Sequence, residues 1–266
     1  MKELTIVIPI HKYDENVSEL LNRATGSLAE AISYYNEQMN LNEDVKIALI
    51  GSADVLNEIN LPETFKIKKI ENEITDFATQ INTAAKNIDT KYFSILEFDD
   101  VYFKKWFVNV DKYMNIHEDV SIYLPLTEIF EVRGENNVTL GYTNEAVWAT
   151  SFSEELGFLD LESLENFGDF NLTGAVFNRA DFLEVGGLKP SMKLTFWYEF
   201  LMRMAHNSKK MYTIPKLGYF HCIGRKDSLI AQYNETMSPD EAQWWIDLAK
   251  KEYYFKEDRN KTYDGE

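Results

Sequence analysis

The first hundred residues alternate between two hydrophobic rhythms, and this alternation limits the available folds more than any other feature. "LTIVIPI" (residues 4–10) is a continuous apolar run of strand type. Pro9 marks its exit, because a proline cannot donate to a central ladder. From Asp14 the period lengthens: Val17, Leu20, Leu21, Ala24, Leu28, Ala31, Ile32 and Tyr35 fall on one helical face. "VKIALIGSAD" is a second strand closed by a glycine turn, and "FKIKKI" is a third. A helix carrying Phe77, Ile81, Ala84, Ala85 and Ile88 then leads into the strand "KYFSILEF". Buried strands separated by amphipathic helices predict an α/β fold with a mostly parallel, doubly wound central sheet. Helices cover both faces of such a sheet, and ligands bind outside the carboxyl ends of its strands.

Beyond a helix near residues 103–115 the pattern turns to shorter strands, "SIYLPLTEIFEV" and "VTLGYTNEAVWATSF", joined by a Gly and Asn turn at 134–137. They are expected as an antiparallel extension of the same sheet. "GAVFNRADFLEVGGL" reads as a strand, a short helix from Arg179 and a stop at Gly186 and Gly187. Residues 195–207 read as a helix, and 211–221 as two short strands split around Pro215. "SPDEAQWWIDLAKKEYYF" opens a last helix with Ser238 as cap, Pro239 at the first helical position and acids in the first turn. There is no internal repeat and no low-complexity linker, so one domain is expected over residues 1–236. The helix and polar tail of 237–266 are expected to pack on that same domain.

Charge and cysteine content narrow the function classes. With 27 Lys and Arg against 44 Asp and Glu, the chain carries a formal charge of −17 and repels phosphate backbones, so nucleic acid is not an expected partner. Cys222 is the only cysteine, which excludes an internal disulfide framework and points to a reducing, cytoplasmic setting. No window reaches the roughly 18 to 20 apolar residues of a membrane helix, so no membrane span is expected.

"YFSILEFDDVYF" drives an apolar strand into Glu97, Asp99 and Asp100, three carboxylates within four residues. Either the turn is simply solvated and caps the next helix, or a cation belongs there. A hard divalent cation held by these carboxylates would offset their mutual repulsion. On the strand itself adjacent side chains diverge, but in the turn just after it both aspartates can approach one ion.

Four segments in order resemble the inverting glycosyltransferases of the GT-A fold, family 2 in particular: "TIVIPIHKYDENVSELLNRATGSL", "ATQINTAAKNIDTKYFSILEFDD", "TGAVFNRADFLEVGGL" and "GYFHCIGRKDSL". The resemblance runs over residues 4–229. It implies a Rossmann-like GT-A domain that uses Mn2+ or Mg2+ and a nucleotide-diphosphate sugar, and transfers the sugar with inversion to a hydroxyl acceptor such as a glycan or wall polymer. It implies that Asp100 ligates the metal, that Asp99 contacts the metal or ribose, and that Glu97 lines the nucleotide cleft. His221 matches a metal or diphosphate ligand, and Arg225 and Lys226 could meet the diphosphate. Pro9 and His11 lie where the nucleotide-binding turn begins, Gly51 is the glycine turn after the second strand, and Asn82 matches the asparagine of the second segment.

Two departures stand out. Where related enzymes carry an aspartate for the nucleobase, this chain has Ile50, with Asp54 the nearest acid downstream. Where they carry a Glu and Asp pair as catalytic base, counting back from Arg203 gives Phe196 and Trp197, which cannot accept a proton. Glu199 is the one acid in that helix. It is either a relocated base or the i, i+4 partner of Arg203. Asp169, in a glycine turn on the acceptor side, is the second candidate base. The alternative to an enzyme is a degenerate module that binds a nucleotide, a sugar or a protein. Trp148 and Tyr142 could line an acceptor cleft, and Trp244, Trp245, Tyr253, Tyr254 and Phe255 a sugar platform, but packing is the expected role of both sets.

Overall fold

The structure, a computed structural model, describes residues 3–133, 136–225 and 228–251. Gly134, Lys226, Tyr253, Tyr254 and Phe255 lie outside the described residues. The chain opens as the rhythm predicts: β1 (Leu4–Pro9), α1 (Glu15–Met39), β2 (Val45–Gly51), α2 (Ala53–Glu58), β3 (Phe65–Glu71), α3 (Phe77–Asn87) and β4 (Tyr92–Ile95). β1 pairs in parallel with both β2 and β4, and β2 with β3. The elements start and stop for local reasons. Asp14 caps α1 by accepting the Val17 N–H at 2.8 Å, and Asn40 ends it in the left-handed region at φ 53°. Asp76 caps α3 through the Thr79 N–H at 2.8 Å. α2, which the sequence reading missed, is a single short helix capped by Ser52.

The second half comprises β5 (Val101–Tyr102), α4 (Trp106–Met114), β6 (Val120–Arg133), β7 (Asn136–Thr143), α5 (Leu161–Asn166), β8 (Val176–Asn178), α6 (Arg179–Glu184), α7 (Phe196–His206), β9 (Lys210–Ile223), α8 (Leu229–Thr236) and α9 (Pro239–Lys251). Among the described residues the sheet order is β3-β2-β1-β4-β8-β6-β9-β5, with β7 on the outer side of β6. β8 runs antiparallel to β4 and β6, as does β7 to β6 and β5 to β9. The expected antiparallel extension is therefore present, but β6 and β9 pair in parallel through its middle.

Three boundaries differ from the sequence reading. β6 and β9 are 14-residue strands where short ones were expected, and Pro215 does not split β9. The ladder between them slips near Leu124, Leu126 and Thr127, and Pro215 falls at that slip, where no regular ladder bond requires its missing N–H. The strand expected to continue through Trp148 stops at Thr143, and residues Ala146–Trp148 form a short 3-10 turn. α8 was not foreseen.

Side-chain alternation builds a core on each face of the sheet. Ile6, Ile8 and Leu49 pack with Val17, Leu21 and Leu28 of α1 and with Trp106 and Phe107 of α4. On the other face Val7, Ile50, Phe93 and Ile95 pack with Ile81 of α3, Phe182 of α6 and Phe200 of α7. α9 docks through Ala249 and Trp245, while Trp244 is exposed. No helix among the described residues is long and apolar enough to cross a membrane.

Gly174 pins the two halves together. Its carbonyl accepts the Trp106 indole N–H at 3.0 Å, and its φ of +76° lets the Tyr219 ring close over it, where an added Cβ would lie 2.3 Å from the ring. Gly174→Ala should cost at least about 2 kcal/mol of unfolding free energy. Gly26→Ala, in α1 with nothing within 4 Å of the added carbon, should instead stabilise by about 0.5–1 kcal/mol. Urea titration of the two variants checks the opposite signs.

Candidate functional site

The acidic turn is positioned by pairing on both sides. β4 ends at Ile95, and the Leu96 N–H still bonds the Val7 carbonyl at 3.0 Å. The chain then folds back, with the Asp100 N–H on the Glu97 carbonyl at 3.1 Å, and enters β5. β5 has two residues, yet its pairing of Val101 with Phe220 brings Asp100 against the end of β9. Asp100 is fully buried. One of its oxygens accepts the Cys222 amide at 2.8 Å and the other meets His221 Nδ1 at 3.0 Å. The Glu97 amide donates to the Tyr219 hydroxyl at 3.1 Å. Glu97, Asp100 and His221 thus place their ligand atoms within 4.8 Å of one another.

Asp99 faces elsewhere. Its carboxylate pairs with Arg225 at 2.7 Å, and its backbone carbonyl accepts from the Arg23 guanidinium of α1 at 2.5 Å. Arg225 also lies 4.7 Å above the ring of Phe98, whose other neighbour is the His11 ring at 5.7 Å. Gly51 lets the end of β2 lie close to the chain leaving β1, since a Cβ there would sit 2.5 Å from the Ile10 carbonyl.

No family model and no curated protein sequence matches the chain. Solved structures do resemble it. Residues 1–349 of S. aureus TarS in complex with UDP-GlcNAc superpose with a TM-score of 0.63 at 12% identity, over 93% of this chain and 65% of that one. S. aureus TarS in a longer form gives 0.61 at 12% identity, over 94% and 39%. The mannosyltransferase PcManGT from Pyrobaculum calidifontis, in complex with GDP-Man and Mn2+, gives 0.58 at 11% identity, over 99% and 65%. The chain has a GT-A glycosyltransferase fold. It spans less than two thirds of the length of these neighbours.

Within that fold the other residues singled out from the sequence are placed as follows. Pro9 closes β1 opposite Ile50, and His11 is exposed beside Phe98. Asp54 is exposed in the first turn of α2. Asn82 uses both ends of its amide on the backbone of Leu188, at 2.7 and 2.8 Å, and so braces the segment after Gly187. Glu199 is buried, with one oxygen on Arg203 Nη2 at 2.8 Å and the other on Arg203 Nε and Lys189, both at 2.9 Å. Arg203 also donates to the carbonyls of Val185 and Gly187. Phe196 and Trp197 pack on Phe77 at 5.7 and 5.6 Å. Asp169 is exposed, and its backbone carbonyl accepts the Thr143 hydroxyl. Trp148 packs on Tyr212, while Tyr142 is exposed on β7.

Sequence reasoning missed Arg23, Tyr219, Phe98 and the Cys222 amide. Arg23 is one arginine on the polar side of a helix, and a backbone N–H carries no side-chain signature, so neither could be read without the strand register.

The donor set fits a divalent cation. Two carboxylates and an imidazole suit Mn2+. Withdrawal from water, then the charge of Asp100, push Glu97 up to about 8 against the pull of His221 and Arg225. Burial and Asp100 likewise push Asp99 up to about 6. Burial would lower His221, but the charge and hydrogen bond of Asp100, with Glu97 and Asp99 behind, outweigh it and raise the ring to about 9. Each group holds its proton more tightly folded than unfolded. The stabilisation is complete below the ordinary values of 3.8, 4.5 and 6.5 and is lost as pH climbs through about 6, 8 and 9. In a chelator, Tm should therefore fall from pH 5 to pH 9. Glu97→Gln should flatten that fall, and millimolar Mn2+ should oppose it at the alkaline end. A thermal-melt series that is flat or rising in the wild type would contradict this assignment.

Proposed function

We propose that the protein is a metal-dependent glycosyltransferase that moves a sugar from a nucleotide-diphosphate donor to a hydroxyl acceptor, with inversion. The observation that carries this reading is the Glu97, Asp100 and His221 cluster at the carboxyl rim of a GT-A sheet. The solved neighbours with UDP-GlcNAc and with GDP-Man and Mn2+ support it. Glu97, Asp100 and His221 would hold the cation, which when bound would offset the charge of the diphosphate as it leaves. Arg225 would bind the diphosphate, and Asp99 the ribose hydroxyls. His11, Pro9 and Gly51 would line the nucleotide cleft, and Asp54 is the nearest acid for the base side.

For the proton of the acceptor hydroxyl, Asp169 is the better candidate. It is exposed, and the Thr143 that bonds its carbonyl stands in register with Thr127, which in turn stands in register with Tyr219 beside the cluster. Glu199 is buried and engaged by two cations, which leaves it no open face. A second reading is favoured by Phe196 and Trp197, whose packing on Phe77 fills the place of the expected base pair. On that reading the chain binds the nucleotide sugar without turning it over.

Thermal shift and turnover with a panel of UDP- and GDP-sugars separate these possibilities. A nucleoside diphosphate with Mn2+ should raise Tm, and Asp100→Ala should remove the effect. Asp169→Asn should keep the shift and lower kcat by roughly 10²–10⁴. Glu199→Gln should cost about 3 kcal/mol of stability while retaining turnover at temperatures where it is folded. Loss of turnover in a folded Glu199→Gln would transfer the base to Glu199, and binding without turnover in the wild type would favour the second reading.

A further inference from the structure

The last helix has two apolar faces, and the fold of one chain uses one of them. Trp245 and Ala249 pack on the body of the protein, where the Trp245 carbonyl accepts the Thr195 hydroxyl at 3.2 Å beside the start of α7. One position earlier in each case, Trp244 and Leu248 face outward and are 54% and 37% exposed. The Trp244 ring meets Trp245 edge-on at 4.8 Å, so the inner ring supports the outer one without covering it. The outer face also has an order along the helix. Glu241, Trp244, Leu248 and Lys251 are all exposed, at intervals of three, four and three residues. That spacing makes one stripe, with the periodicity of a two-helix seam. An acid stands at one end, a base at the other and two apolar side chains between them. Reversed end for end, the stripe is its own complement. About the midpoint of Trp244 and Leu248, Glu241 and Lys251 stand at equal distances of about 7.5 Å along the axis.

We propose that the outer face of α9 is the contact between two copies of this chain, paired antiparallel about a two-fold axis. Trp244 lies on the partner's Leu248, and Glu241 pairs with the partner's Lys251 at each end of the seam. A two-fold contact uses one patch twice, which is what a self-complementary stripe supplies. Charge selects this occupant and this direction. Each chain carries a formal −17, so two copies repel over most of their surfaces. A parallel seam would add to that by setting Glu241 beside its own copy, whereas the antiparallel seam gains two contacts of opposite sign. One pair of short helices buries less than the roughly 1,200 Å² of a stable interface, so the dimer is transient, with a Kd on the order of 10–100 μM. The contact is independent of what the acidic turn binds.

Sedimentation equilibrium of the full chain at concentrations from roughly 5 to 500 μM tests this, and should show monomer and dimer in exchange. Trp244→Ala should weaken association at least tenfold while the far-UV circular dichroism keeps the wild-type helix content. Glu241→Lys and Lys251→Glu should each lose self-association. An equimolar mixture of those two variants should recover a dimer, because each supplies the charge that the other lacks, and this recovery also shows that both are folded. A wild type that is monomeric throughout would overturn the proposal, as would a dimer that Trp244→Ala leaves intact. A mixture that stays monomeric while the wild type dimerises would overturn the antiparallel pairing. A monomeric wild type whose tryptophan emission shifts with cellohexaose, a response lost in Trp244→Ala, would assign the face to a sugar instead.

Discussion

A carboxylate with no exposure to water, Asp100, is the constraint on which the site depends. A carboxyl group in such a place is tolerated only when its oxygens have hydrogen-bond partners. Both donors come from the end of β9, the Cys222 amide and the His221 ring. For β9 to deliver them it must run 14 residues, slip its register against β6, and accept the two residues of β5 on its other edge. The same strand places Tyr219 over Gly174, and Trp106 holds Gly174 from below. The site and the joint between the two halves of the sheet are therefore one structural problem with one solution.

Among the described residues two clusters of buried charge stand out, and their partners differ. Around β4 and β9, three acids (Glu97, Asp99 and Asp100) crowd together beside His221 and Arg225, and burial with the neighbouring acid raises Glu97 and Asp99. Around α7, one acid, Glu199, faces Arg203 and Lys189. The first cluster raises the proton affinity of Glu97, Asp99 and His221. The second is satisfied internally and also fixes the Val185 and Gly187 carbonyls, so that it braces the segment after α6. Similar residues thus crowd acids together in one place and brace the backbone in the other, because the partners that each carboxylate meets differ.

The parallel half of the fold was legible because periodicity reports burial directly. Leu4 through Pro9 and Val45 through Gly51 are buried along nearly their whole length, as a strand covered on both faces must be. The long strands β6 and β9 were harder to read. Pro215 looks like a break in a sequence, whereas a register slip accommodates it in space. At the site, Asp100 and His221 were both visible as candidates, and the structure brings them together. The partner that completes the cluster is Glu97, with Asp99 turned to Arg225 instead. Turn geometry decides which of two neighbouring carboxylates faces which partner, and composition does not encode it.

By itself, the sequence determined the layered α/β class, the rim on which acids gather, and the absence of an acid at Phe196 and Trp197, because each follows from residue type and local spacing. Only the tertiary structure decided that Asp99 is matched by a cation more than a hundred residues away and that Glu199 is held by two cations. Those outcomes depend on which strand edges meet. Hydrogen bonds between segments distant in sequence set that registry, and no single segment contains both halves of such a bond.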